Sequence, residues 1–262
     1  MELTEMTRRS FLKYAAAACG LTATPSLVSI TDKAAADTVQ KHNTKTYKFE
    51  GNIKVLGIGA IDIGASLEIR YGESGYSSSL KAFKLSDENE IYCIYASQGF
   101  VSNGALLPRK SEIYRKYPSW TRIFWFYKHD RIDFEFGYAD GKLLSIKRTE
   151  ENLSKRKKEA KYLPAAGELY KSSVDILTAI IRILSQLKNG ETPNKVNVID
   201  NKGRPKTANI TVNGRNVSID AEGKDFHFKS ASIQFDYNFE PLEIKITKIH
   251  GWADLEGRSI NP

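Results

Sequence analysis

Two cysteines and four histidines are all that the 262 residues contain. So few thiols exclude a disulfide framework and a multi-cysteine zinc site. So few imidazoles leave little material for histidine-based catalysis. Long hydrophobic runs are missing as well. Apolar residues make up 41% of the chain and charged residues 27%, which fits neither a bundle of membrane helices nor a disordered tail. The length allows one large domain or two small ones. What the chain does carry is basic charge, Lys+Arg 39 against Asp+Glu 31, for a net +8.

The first thirty-six residues read as an address. Thr7-Arg8-Arg9-Ser10-Phe11-Leu12-Lys13 resembles the paired-arginine signal of bacterial exported proteins. Arg8 and Arg9 are its motif. The mildly apolar stretch Tyr14–Leu21 that follows is too short to span a bilayer. Ala34-Ala35-Ala36 offers the small side chains a signal peptidase prefers. Residues 1–36 are therefore expected to be removed after export by the twin-arginine translocase, leaving a periplasmic chain. Cys19 follows Ala16-Ala17-Ala18, which lacks the larger aliphatic residue of a lipidation site, so no lipid anchor is expected there. Processing leaves the charge at +7 and Cys93 as the sole thiol. A lone cysteine in an oxidising compartment is safest buried, and Ile91-Tyr92-Cys93-Ile94-Tyr95 suits burial in a strand.

Residues 37–45 read as a flexible leader and 46–250 as a single domain, with 251–262 as a C-terminal tail. Within the domain, period-two alternation dominates. Tyr47, Phe49, Ile53 and Val55 alternate with Lys48, Glu50, Asn52 and Lys54, and Ile61–Tyr71 repeats the pattern. Arg131–Tyr138 alternates cleanly, with Ala139-Asp140-Gly141 as a turn and 142–147 returning beside it. Asn213-Gly214 is the strongest hairpin signal. A change of phase near Ala231 predicts a bulge or bend. These segments predict an all-β fold, an antiparallel barrel-like or strongly curved sheet of about ten strands.

One segment breaks the pattern. Residues 172–189 form a helix, with a capping box at Ser172-x-x-Asp175 and a left-handed stop at Asn189-Gly190. Val174, Leu177, Ile181 and Leu184 share one stripe, which Ile176, Ile180, Ile183 and Leu187 widen. So wide an apolar face must pack on the sheet or enter a barrel mouth. Upstream, Glu150–Lys161 reads as an exposed connection with some helical character. Its run Lys155, Arg156, Lys157 and Lys158 is a solvated loop or a contact for anionic headgroups or another polyanion.

The mature chain resembles the domain-of-unknown-function 3108 family, exported envelope proteins of Gram-negative bacteria. Four places carry the resemblance: Asn52–Gly57 with Ile63–Ile69, Gly104–Pro108 with the strand near Tyr114, the helix opening at Val174–Ala179, and Pro241–Thr247. At the third place Ile176 stands where the family often has proline. The resemblance implies an exported, mostly β domain. It brings no catalytic residues.

Searches for chemistry return little. Gly57-Ile58-Gly59-Ala60-Ile61-Asp62 begins like a dinucleotide fingerprint but continues into a strand. Lys128-His129-Asp130-Arg131 reads as an exposed turn, and Asp133 with Glu135 as alternating charge on a solvated strand. No catalytic residue, cofactor or metal site is expected. Residues 114–138, by contrast, hold ten aromatics. A strand apolar on both faces needs cover, from the helix, a partner or a ligand. Three functions remain. The first is a non-enzymatic protein that binds an amphipathic or lipid-like ligand, lined by Trp120, Trp125, Tyr127, Ile180 and Leu184. The second is an interaction protein docking an envelope partner through an apolar face, and the third a hydrolase with an unrecognised site. The basic charge then points to the anionic cell envelope, and nucleic acid is not an expected partner.

Overall fold

Alternation in the first strand sets the frame for the rest. The computed structural model describes residues 43–55, 59–72, 75–102, 104–116, 129–221, 229–249 and 253–260. Tyr47 and Phe49 are buried while Lys48 and Glu50 are exposed, so β1 (Asn43–Val55) has one wet and one dry face. β2 (Gly59–Tyr71), β3 (Gly75–Lys84), β4 (Asp87–Ser102), β5 (Ala105–Lys116), β6 (His129–Ala139), β7 (Lys142–Asn152) and β8 (Lys157–Pro164) follow as an antiparallel meander. Two helices come next, α1 (Glu168–Lys171) and α2 (Ile176–Lys188). β9 (Lys195–Ile199), β10 (Pro205–Asn213), β11 (Asn216–Ala221), β12 (Ser230–Phe235), β13 (Pro241–Ile249) and β14 (Ala253–Ser259) complete the sheet.

The two meanders join through the ends of the chain. β1 pairs with β2 from Asn43↔Tyr71 to Val55↔Gly59, and with β14 from Phe49↔Ser259 to Val55↔Ala253. One antiparallel sheet of 14 strands results, and it is not closed. Its edges are β8 and β9. The backbone between the helices covers β9: the Val174 amide donates to the Asn197 carbonyl at 3.1 Å, and the Ile199 amide to the Val174 carbonyl at 2.8 Å. Side chains span the remaining gap. Arg148 Nε donates to the Asn201 carbonyl at 2.6 Å, and the Tyr170 hydroxyl to the Gly203 carbonyl at 3.3 Å. A Cβ on Gly203 would run into Leu163. The sheet is thus barrel-like, with side chains rather than a ladder at its seam.

Turn chemistry follows the sequence closely at two hairpins. Asp140 and Gly141 both have positive φ, 49° and 71°, as a two-residue loop between twisted strands requires. Gly214, at φ 59°, opens the loop from β10 to β11. Elsewhere the expectations need correction. Among the described residues there are fourteen strands rather than about ten, and two helices rather than one. Residues 253–259, expected in a tail, form β14, which pairs with β1 and β13 at the junction of the meanders. The 150–161 connection is a tight turn into β8, with Arg156 at φ 53°. A register shift falls between Gln234 and Phe235, while the phase change expected near Ala231 rests on Phe226 and Phe228, which lie outside the described residues. Among the described residues no helix is long and apolar enough to cross a membrane.

α2 lies on the inner face of the curved sheet. It starts where Val174 meets Val198 on β9 and ends at Lys188 beside Tyr47 and Glu240. That end of the sheet, the helix end, also carries the turns at 140–141 and 213–216. The opposite, far end carries the turns at 85–86, 153–156 and 200–204.

Candidate functional site

Inward positions of β1–β3 and β9–β14 face one side of α2 across a gap. Phe49, Ile63, Leu67, Leu80, Val198, Ile219, Ile233 and Ile246 line it from the sheet, and Ile176, Ile180 and Ile183 from the helix. Five alanines, Ala65, Ala82, Ala179, Ala208 and Ala231, stand where larger side chains would have filled the space. The result is an apolar cavity of about 210 Å³. An apolar void of roughly 150 Å³ is enough to stay dry and take up a small hydrocarbon. Among the described residues the only charged one on the wall is Glu50, whose alternation within β1 puts its side chain on the outer face.

Polar contacts hold the helix against the other half of the sheet. Asp175 is the N-cap: its Oδ1 accepts from the amides of Leu177 at 3.0 Å and Thr178 at 3.1 Å. Its Oδ2 accepts from the Ser97 hydroxyl at 2.8 Å and the Thr178 hydroxyl at 2.5 Å. Tyr76 joins through Thr178 at 2.5 Å. Burial pushes the Asp175 carboxyl up, against these hydrogen bonds, which pull it down. Burial likewise pushes the Tyr76 phenol up. The expected capping box at Ser172 is therefore displaced. Asp175 caps, and Ser172 receives a hydrogen bond from Asn197 at 2.7 Å. One flank of the helix is tied by Arg182, which donates to the Leu106 carbonyl at 2.6 Å. Lys188 ties its end, donating to Glu240 at 2.6 Å. Gly190, at φ 77°, supplies the left-handed stop.

A second buried group lies in the same layer. Ala65, Ala82, Cys93, Arg115 and Asp130 pair in turn across five strands, so all share the inner face. Arg115 and Asp130, 2% and 6% exposed, form a bidentate pair at 2.8 and 2.7 Å. Burial pushes the Cys93 thiol up to about 12, outweighing the pull of the Arg115 guanidinium. Asp130 thus corrects the expectation of an exposed turn at 128–131. The missed signal was Arg115 itself, in phase with Ser111 and Ile113 on the dry face of β5.

Of the lining residues proposed from sequence, Ile180 is on the cavity wall, and Leu184, 7% exposed, packs in the adjoining core. Trp120, Trp125 and Tyr127 lie outside the described residues, as do Arg8, Arg9, Cys19, His227 and His250. Lys155, Arg156, Lys157 and Lys158 are exposed at the far end, and Lys157 pairs with Glu159 at 2.8 Å. His129 opens β6 with its ring edge-on to Tyr114. Burial and Lys116 push its pKa down. The strand acids are ion-paired, Asp133 with Arg131 at 3.0 Å and Glu135 with Lys147 at 3.0 Å. Among the described residues no group of three or more His, Cys, Asp or Glu side chains is placed to hold a metal.

Fold and cavity together define a barrel-like all-β domain with an apolar interior chamber. No family model matches the chain, so the resemblance to the 3108 family rests on the residues named above. No curated protein matches it either. Among solved structures, it is similar to a β-barrel-like protein of the domain-of-unknown-function 1849 family from Brucella abortus. The TM-score is 0.45 at 11% identity, covering 82% of this chain and 95% of that one.

Proposed function

We propose that the chain is an exported periplasmic protein that binds an amphipathic, lipid-like molecule in the chamber between α2 and the sheet and performs no chemistry on it. The observation that carries this reading is the wall of the 210 Å³ cavity, built from aliphatic and aromatic side chains on nine strands and one helix. Each methylene moved from water into it contributes about 0.8 kcal/mol before the costs of binding. The Arg8-Arg9 segment supports export, with the twin-arginine translocase and a signal peptidase as transient partners. The exposed Lys155, Arg156 and Lys158 support contact with the anionic envelope surface.

Native mass spectrometry of the protein, expressed as the full chain and purified without detergent, tests the reading. The expected spectrum contains adducts of alkyl-chain mass that organic extraction removes. A uniformly ligand-free protein that also fails to bind dodecanoate or dodecan-1-ol in calorimetric titration overturns it. Export is tested separately: Arg8→Lys with Arg9→Lys should retain the protein in the cytoplasm, and unchanged fractionation refutes that part.

A further inference from the structure

The far-end rim of the chamber differs in chemistry from its wall. Register places three lysines on the inner face there, each beside a wall residue or one step beyond it. Lys84 pairs with Ile63, and Lys206 with Val198; Ile63 and Val198 both line the cavity. Lys229 extends the ladder of β12, bonded through its backbone to Ala221 and Thr247. Ala221 follows Ile219 on the inner face of β11, and directly opposed residues share a face. Lys84 is answered by Glu90 at 3.2 Å. Lys206 and Lys229 have no ion-pair partner among the described residues. Among the described residues the other inward acid at this level, Asp200, is consumed by Arg204 and by the amides of Lys202 and Arg204.

We infer that the ligand is an anionic amphiphile whose alkyl chain lies in the chamber and whose single carboxylate or phosphate head sits between Lys206 and Lys229. This rests on the binding reading above and adds the chemistry of the head. A neutral or cationic head at the same place would leave both ammonium groups unanswered, whereas an anion gains from the half-buried Lys206 and from the exposed Lys229 at the rim.

The test is calorimetric titration of the full chain with four probes sharing one tail: dodecanoate, dodecyl phosphate, dodecan-1-ol and dodecylammonium. At 50 mM salt the anions should bind about tenfold tighter than the alcohol, and the ammonium weakest. At 500 mM salt most of that advantage should disappear. Lys206→Gln with Lys229→Gln should lose the anion advantage while keeping the alcohol's affinity, which also shows that the variant folds. Preference for dodecanoate over dodecyl phosphate assigns a fatty acid, and the reverse a phosphate-headed lipid. The inference is overturned, with the binding reading intact, if the alcohol matches the anions, the ammonium binds best, or the double variant keeps the preference. Failure of all four probes overturns the binding reading itself.

Discussion

Filling the chamber should stabilise the protein and cost it its ligand. Ala208 is the position to use. It is 2% exposed, lines the cavity, and stands between two small neighbours, Val196 on β9 and Ala221 on β11. Ala208→Leu adds three carbons to a space of about 210 Å³, so no neighbour needs to move. At about 0.8 kcal/mol for each buried carbon the gain is roughly 2.4 kcal/mol. Fixing the leucine rotamer takes back about 0.5–1 kcal/mol. The net, roughly 1.4–1.9 kcal/mol, should raise the Tm of ligand-stripped protein by about 3–8 °C for a domain of this size. Urea and thermal unfolding of stripped protein measure it. Titration with saturated fatty acids of increasing length should show the preferred chain shortened by about three methylenes. A loss of 1–3 kcal/mol, the signature of overpacking, would mean that the space is already filled and would refute the reasoning.

Three further outcomes test the buried polar groups. Arg115→Met leaves the Asp130 carboxylate buried without its partner and should cost about 3–5 kcal/mol in urea unfolding, while adding Asp130→Leu should recover most of that. Burial holds the folded Asp175 pKa above its unfolded value, so its contribution is complete below the unfolded pKa, near 3.9, and falls as pH rises through the folded pKa. Asp175→Asn, which keeps an acceptor for the Leu177 and Thr178 amides, should therefore be less damaging relative to wild type at pH 7.5 than at pH 4.5. The opposite trend refutes the assignment. With its thiol pushed up to about 12, half-buried Cys93 should label with iodoacetamide at pH 8 far more slowly in the native protein than after unfolding, and equal rates would contradict the raised pKa.

What could be read from the sequence depended on how one-sided each strand is. β1 and β6 bury alternate residues, so Tyr47 and Phe49, or Ile132, Phe134 and Phe136, announce both strand and inner face. β8 is exposed nearly throughout, and without a dry face its Lys157–Lys161 segment reads as a loop. β3 hides for another reason. Its inner face presents Tyr76, Ser78, Leu80 and Ala82, in which the Tyr76 hydroxyl serves the helix through Thr178 and the small residues make room. β14 was lost to low apolar content. Gly51 and Gly257 stand opposite each other in its ladder with β1, and a Cβ on Gly51 would collide with the Glu256 carbonyl, so close approach there replaces side-chain packing. The helix was legible because its apolar face is too wide for any surface position, which requires a concave partner. The chamber beside it was not. A cavity is the coincidence of small side chains on strands remote in sequence, Ala65 and Ala82 from one meander with Ala208 and Ala231 from the other. Each alanine alone is only a weak strand former. Their meaning, an interior left unfilled, exists only once β1 and β14 bring the two meanders around one helix.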